Sequence, residues 1–465
     1  MRFTFIIQND AILNNYISLL KLLSIDNHLF LIIEESVFHT ADLLALNNTK
    51  IFEYRIQPKL AFWEDIFNYA YIGRKRHTSI SFEERFNWRT PKFADFRKDN
   101  YGKSLRAYFY RLRRYTIKHK DVILINILSK TRLDIIFRPV FYQFFRVQDY
   151  LKAFNEIPIA SIVVVPYWGI NVECNFILSE INKQRKKKFK SLFIQENWDN
   201  LSSKSLMFYK PNVLTVWGEQ TKKHAIEIQG MDVRYIKYLQ SPRYITFYDA
   251  WQKQRSFELE RETLNKNKVI LYIGDSTDTD EVEIINQLSE FILNQNLGYQ
   301  IIYRPHPFQK SNYKRKFSKN AIPRNVRLDE EFSEIYFDGK RSLSTKSNQN
   351  VLLNNLLKCD AFICGGSTSF LEALLMYKPI MLINGKIRST TILRKEHFRG
   401  VENLDYVYIV NEGEIGNDQW KDFFDKVENF QAGNLEVGKT DYFFDLGEKS
   451  YLDKFIEIAG FTSKQ

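Results

Sequence analysis

Short, almost wholly apolar runs rich in branched and aromatic residues recur along this chain, separated by stretches of helical periodicity. Residues 2–8, 28–34, 121–128, 159–166, 191–195 and 213–218 form one series. A strand that is apolar on both faces must be covered on both, so this alternation specifies a parallel sheet between helical layers. After Ser241 and Pro242 the pattern gives way to a polar, helical-looking stretch, residues 249–268, without a buried strand. A second series then runs through 268–274 (KVILYIG), 299–304, 361–365, 380–384 and 406–410. The expected architecture is α/β: two doubly wound, Rossmann-like domains facing each other across a cleft, with ligands at the carboxyl ends of the strands. The expected division is an N-terminal domain over 1–242, a linker over 243–265 and a C-terminal domain over 266–465. Residues 62–120, rich in Arg, Lys, Tyr and Phe, fit the alternation least and read as an insertion in the first domain.

A chain of 465 residues has room for two or three domains, and 44% hydrophobic content excludes a disordered or fibrous protein. Lys and Arg number 67 against 55 Asp and Glu, a formal net charge of +12 that favours anionic partners. Cys174, Cys359 and Cys364 form no CxxC pair, which argues against a disulfide framework or zinc site and for a reducing, cytoplasmic compartment. The opening apolar run is cut by Asn9 and Asp10, unlike a signal peptide. The best apolar stretch, 159–170, carries Ser161 and Pro166 and is shorter than the ~18 residues a membrane span needs. Any membrane contact is therefore expected to be peripheral.

Three strand ends carry chemistry. In YQIIYRPHP, 299–307, an apolar strand runs into Arg304, His306 and Pro307, and the proline stiffens the turn that holds the imidazole. In CDAFICGGSTSFLEALLMY, 359–377, a strand enters Gly365 and Gly366, and Ser367, Thr368 and Ser369 open an apolar helix. Glycines allow close backbone approach, and free amides and hydroxyls at a helix start receive phosphate oxygens. Ser369 to Glu372 also spells a capping box, which needs no ligand. In QENWDNLSSK, 195–204, Glu196, Asp199, Asn197 and Asn200 surround Trp198, a set suited to stacking on a sugar ring and accepting from its hydroxyls. The basic tracts 74–77, 111–120 and 183–190 are each most simply a solvated face. Together, with interleaved Tyr and Phe, they suit an anionic membrane surface; no nucleic-acid module is present, and no nucleic acid is expected as partner. HExxH, GxSxG and dinucleotide fingerprints are absent, against zinc protease, hydrolase and dehydrogenase readings.

The order of residues 195–204, Trp217 to Gln220, Gln240 to Arg243, Arg304 to Pro307 and Gly365 to Glu372 resembles that of bacterial surface-carbohydrate glycosyltransferases of the two-domain GT-B fold. It covers roughly 195–379, under half the chain. The nearest likeness is to CMP-sugar transferases of Kdo and other nonulosonic acids, in which an HP pair and a Ser-Ser/Thr pair hold the nucleotide phosphate; CDP-glycerol polymer transferases share these features. The resemblance implies that His306 and Pro307 with Ser367, Thr368 and Ser369 take the phosphate and Glu372 the ribose hydroxyls; Arg304, Gly365 and Gly366 are expected to join them from their place at the same strand ends. It implies an acceptor that is a cell-surface glycan (capsule, O-antigen or lipopolysaccharide), approached from Gln195, Asn197, Trp198 and Asn200. Asp199, then Glu196, then Asp10 are the expected catalytic carboxylates. No cofactor or divalent ion is expected, protein groups neutralising the leaving phosphate. A UDP-sugar transferase or epimerase, a glycerophosphotransferase, and a non-catalytic membrane- or RNA-binding protein are the alternatives.

Overall fold

The computed structural model describes residues 1–34, 37, 46–55, 131, 133, 136–137, 140, 148–158, 160–167, 177–181, 189–198, 200–204, 207, 210–248, 268–274, 279–306, 317–318, 320–338, 349–365, 368–376, 378–384, 398–430, 441–445 and 447–464. The chain divides into two compact units, one of residues 1–217, 221–242 and 452–465, the other of residues 218–220 and 243–451.

The first unit is built on a seven-stranded parallel sheet of order β3-β2-β1-β4-β5-β6-β7. Its strands are β1 (Arg2–Ile7), β2 (His28–Glu34), β3 (Thr49–Tyr54), β4 (Ile162–Tyr167), β5 (Lys190–Gln195), β6 (Val213–Val216) and β7 (Ile236–Tyr238). β4 and β6 are buried at every residue and β1 and β5 at all but the first, as expected of strands covered on both faces. Helix α1 (Asp10–Leu23) follows β1 directly; the Asn9 side chain accepts from the Ile12 amide at 3.0 Å and caps it. Its buried face, Ile12, Leu13, Tyr16, Leu19, Leu20 and Leu23, follows the three-four spacing of an amphipathic helix.

The second unit carries a six-stranded parallel sheet of order β10-β9-β8-β11-β12-β13. Here the strands are β8 (Lys268–Ile273), β9 (Tyr299–Arg304), β10 (Val326–Leu328), β11 (Ala361–Gly365), β12 (Ile380–Asn384) and β13 (Val407–Asn411). The helices that bear on function are α2 (Glu281–Asn294), α3 (Glu330–Asp338) and α4 (Thr368–Leu374). In each sheet the first strand is central, and the order reverses there: between β1 and β4, and between β8 and β11. Such switch points open a crevice at the carboxyl ends of the strands, the usual ligand position in doubly wound folds.

The expected α/β class and the two parallel sheets are both present. Three elements differ from the sequence-based expectation. The edge strands β3, β7 and β10 have no counterpart in it, because they are short or solvated and lack a continuous apolar run. The helix Tyr451–Lys464 belongs, from Leu452 on, to the first unit, not to a domain over 266–465. Phe455, fully buried, lies 5.5 Å from Phe3 and 6.3 Å from Phe5 between ring centroids, so β1 supplies its packing surface. The change of unit after Pro242 leads into a short 3-10 turn, Pro242–Tyr244, whose last residue is buried. The expected strand at 121–128, the insertion over 62–120, the basic tract 183–188 and linker residues 249–265 lie outside the described residues.

Candidate functional site

Because β9, β8 and β11 are parallel neighbours, their carboxyl ends share one edge of the second sheet. Half-buried His306 stands two residues beyond β9, and Gly365 is the last residue of β11. Between them Gly274 follows β8. A Cβ there would lie 2.8 Å from Glu281 Oε2 and 2.9 Å from the His306 amide nitrogen, so only glycine fits that close approach. Glu281, in the first turn of α2, is buried and accepts from the Tyr303 hydroxyl at 2.5 Å.

Arg304 is almost wholly buried and its guanidinium is engaged by acids. Nη1 donates to Asp329 at 2.7 Å, Nη2 to Glu331 at 2.7 Å, and the group lies 4.7 Å over the Phe332 ring. Asp329 also accepts from Asn355 at 2.7 Å. Charge repulsion between the two acids is relieved by the arginine, which fastens the end of β9 to the start of α3. A free phosphate-binding guanidinium was the expectation from sequence; in this arrangement the Arg304 charge is taken up by two acids and the residue serves to fix the strand end.

Glu372 projects from α4 and is buried. Its Oε1 accepts from the Tyr244 hydroxyl at 3.2 Å and lies 3.9 Å from Arg243 Nη2. Burial raises its carboxyl above the ordinary value, against the downward pull of Arg243, the Tyr244 hydrogen bond and the Arg304 charge. A capping box would turn this carboxylate back to the helix start; instead it meets Tyr244. The Ser369 side chain is half-buried at that start. Pro307, Gly366, Ser367 and the side chain of Thr368 lie outside the described residues.

In the first unit β5 delivers Glu196, 1% exposed. Oε1 accepts from the Tyr16 hydroxyl at 2.6 Å, Oε2 from Ser241 Oγ at 2.8 Å and Asn15 Nδ2 at 3.3 Å. Its backbone amide donates to the Tyr167 carbonyl at 3.1 Å. The residues after it close on themselves. Gln195 Nε2 donates to the carbonyls of Asn197 and Trp198 at 3.0 and 3.1 Å, and the Asn197 amide donates to Asn200 Oδ1 at 2.6 Å. Asn200 opens a five-residue π-helical turn, Asn200–Lys204.

Several expected roles change here. Trp198 is fully buried, so its ring packs in the interior and offers no open face for a sugar to stack on. Gln195 and Asn200 are fully buried as well and serve the loop's own backbone. Asn197 is half-buried. Asp10 is exposed in the first turn of α1, and Asp199 lies outside the described residues. Asn15, Tyr16, Tyr244 and Glu281 were not marked by the sequence, and Ser241 only as part of the segment Gln240 to Arg243, without a role. Tyr16 reads simply as part of the apolar stripe of α1, and nothing local ties it to a carboxylate 180 residues away.

Two further short motifs occur in the sequence. Asp278 to Asp280 spells Asp-x-Asp, but Asp280 caps α2 by accepting from the Glu283 amide at 3.2 Å. GNLEVGKT, 433–440, matches GxxxxGK[ST], yet it follows the helix Asn417–Glu428 where a P-loop requires a strand; residues 431–440 lie outside the described residues. Among the described residues no three His, Cys, Asp or Glu side chains gather as a metal site.

No family model and no curated protein matches this chain. Among solved structures it is similar to the UDP-GlcNAc 2-epimerase of Methanocaldococcus jannaschii, at 11% identity and TM-score 0.46, over 99% of this chain and 100% of that one. It is similar also to a glycosyltransferase of Rickettsia africae ESF-5, at 10% identity and TM-score 0.46 over 100% and 99% of the two chains. The glycosyltransferase SnogD of Streptomyces nogalater follows at 10% and 0.44, over 98% and 99%. Likeness of this size assigns no activity, and the architecture rests on the two sheets themselves.

Proposed function

We propose that this protein is a GT-B-type glycosyltransferase that moves a nonulosonic acid or Kdo from a CMP-activated donor to a cell-surface glycan acceptor. The observation that carries this reading is the single sheet edge of the second unit, where His306, Gly365 and the start of α4 follow neighbouring strands around the switch point, with Glu372 one helical turn further on. That edge suits a nucleotide: a basic turn and a helix start for the phosphate, a carboxylate for sugar hydroxyls.

In the proposed reaction the acceptor hydroxyl oxygen bonds to the anomeric carbon while the bond from that carbon to the CMP phosphate oxygen breaks. The phosphate leaves with the electron pair, and the acceptor proton passes to a carboxylate. His306 and the amides beside Gly365 and Gly366, with the hydroxyls of Ser367, Thr368 and Ser369, stabilise the charge growing on the phosphate. Protein groups alone suffice for that, without a divalent ion. Asp199 remains the proposed base and Asp10 the reserve. Glu196 is a poor candidate base, because three donors already occupy its two oxygens.

The protein is proposed to work at the inner face of the cytoplasmic membrane, its basic tracts against anionic lipid. No helix among the described residues is long and apolar enough to cross a membrane. Calorimetric titration of CMP, CDP and UDP into wild type and His306→Ala tests the assignment: CMP should bind tightest, and the variant should lose about tenfold or more. Selective UDP binding would replace this reading by a UDP-sugar transferase or epimerase, selective CDP binding by a glycerophosphotransferase. Absence of nucleotide binding would remove the enzyme reading altogether.

A further inference from the structure

The turn Pro242–Tyr244 brings two side chains to one oxygen of Glu372. The Tyr244 hydroxyl donates to Oε1 at 3.2 Å; Arg243 Nη2 donates to that hydroxyl at 2.5 Å and lies 3.9 Å from Oε1. The guanidinium also covers the Tyr244 ring at 4.7 Å. The ring is gripped edge-on by Phe444 at 4.9 Å and Phe247 at 5.5 Å, so the hydroxyl has little freedom to leave its carboxylate. Among the described residues, Oε2 of Glu372 accepts no hydrogen bond. One oxygen of the carboxylate is therefore engaged, and the other is left without a donor among the described residues.

We propose that Arg243 and Tyr244 are positioning residues for Glu372, which occupy Oε1 and present Oε2 as an ionised acceptor to a hydroxyl of the bound nucleotide. The inference rests on the reading of Glu372 as a ligand residue. Burial favours the neutral carboxyl, which could donate to a phosphate oxygen as readily as it accepts from a hydroxyl. An adjacent cation and a donated hydrogen bond work against that, towards the charged, acceptor-only form, while burial still keeps the carboxyl above its ordinary value. The groups facing this carboxylate are Arg243 and Tyr244 from the turn and Arg304 from β9. Arg304 is already shared between Asp329 and Glu331, which leaves Arg243 as the cation whose removal Glu372 should feel most.

Two measurements on the full chain test this separately from the functional reading. Infrared difference spectroscopy can follow the protonated Glu372 carboxyl through a pH titration, its band identified by loss in Glu372→Gln. Tyr244→Phe, which keeps the ring and its aromatic contacts, should move the titration to higher pH; Arg243→Gln should move it further, and Arg243→Lys should restore most of the shift. An unmoved titration in both Tyr244→Phe and Arg243→Gln overturns the inference, whether or not any nucleotide binds. The second arm compares CMP with 2′,3′-dideoxy-CMP. Wild type should prefer CMP by about tenfold, and Tyr244→Phe and Arg243→Gln should shrink that preference at neutral pH while leaving affinity for the dideoxy compound unchanged. A preference retained in both variants overturns the positioning role. If neither compound binds wild type, the nucleotide reading fails while the titration still decides the clamp.

Discussion

Glu196 and Glu372 are the same chemical group in similar settings: each is buried, and each lies beyond the carboxyl end of a parallel strand. They are held differently. Glu196 takes donors on both oxygens, from Tyr16, Asn15 and Ser241, whereas Glu372 takes Tyr244 and Arg243 on one. A saturated carboxylate cross-links the elements around it and has little left for a ligand. A half-engaged one keeps an acceptor in reserve. The contrast separates structure from chemistry better than burial or residue type, which are alike for the two.

The largest effect should come from emptying the saturated site. Glu196→Ala leaves the Tyr16 and Ser241 hydroxyls and the Asn15 amide without an acceptor and should lower stability by about 3 kcal/mol, read from denaturant unfolding. A loss below about 1 kcal/mol would mean that Glu196 is not the cross-link described. Next, Glu372→Gln keeps an oxygen for Tyr244 but loses the charge; CMP affinity should fall about tenfold with no loss of stability. If stability falls and affinity does not, the roles of the two carboxylates are reversed. Ser241→Ala deletes one donor and should cost about 1 kcal/mol of stability while CMP affinity stays as in wild type.

The smallest effect is in pH dependence. The Glu372 carboxyl is raised in the folded protein, chiefly by burial, so its contribution to stability is fully present below the ordinary glutamate value and is lost as pH rises through the folded value. Glu372→Gln should therefore flatten that part of the stability profile, the variant gaining on wild type as pH rises from 4 towards 8. Parallel profiles for the two proteins would show that Arg243, Tyr244 and Arg304 already cancel the cost of burial.

Much of the fold was legible. The central strands β1, β4, β5, β8, β9, β11 and β12 coincide with apolar runs because a strand covered on both faces has no polar side to interrupt it. β3, with its half-solvated pattern, and β7 and β10, three residues each, leave too weak a signal. The helix Tyr451–Lys464 advertises an apolar face but not the sheet that receives it. At the site, the strand-end residues His306, Gly365 and Glu196 were legible from position alone. Their partners were not, since Tyr16 and Tyr244 look in sequence like ordinary core aromatics.

The sequence by itself determined two parallel α/β units and the strand ends where polar residues collect, because periodicity and apolar run length are local properties that fix burial before any long-range contact forms. Only the tertiary structure decided what each of those polar residues does. It buried Trp198 away from any sugar, spent the Arg304 charge on Asp329 and Glu331, filled both oxygens of Glu196 and, among the described residues, gave donors to only one of Glu372. These outcomes turn on hydrogen bonds between residues from 25 to 181 positions apart, Arg304 to Asp329 being the nearest and Asn15 to Glu196 the farthest. A buried donor takes whichever acceptor the packed elements bring within reach, and that choice is written in the packing, not in the neighbouring sequence.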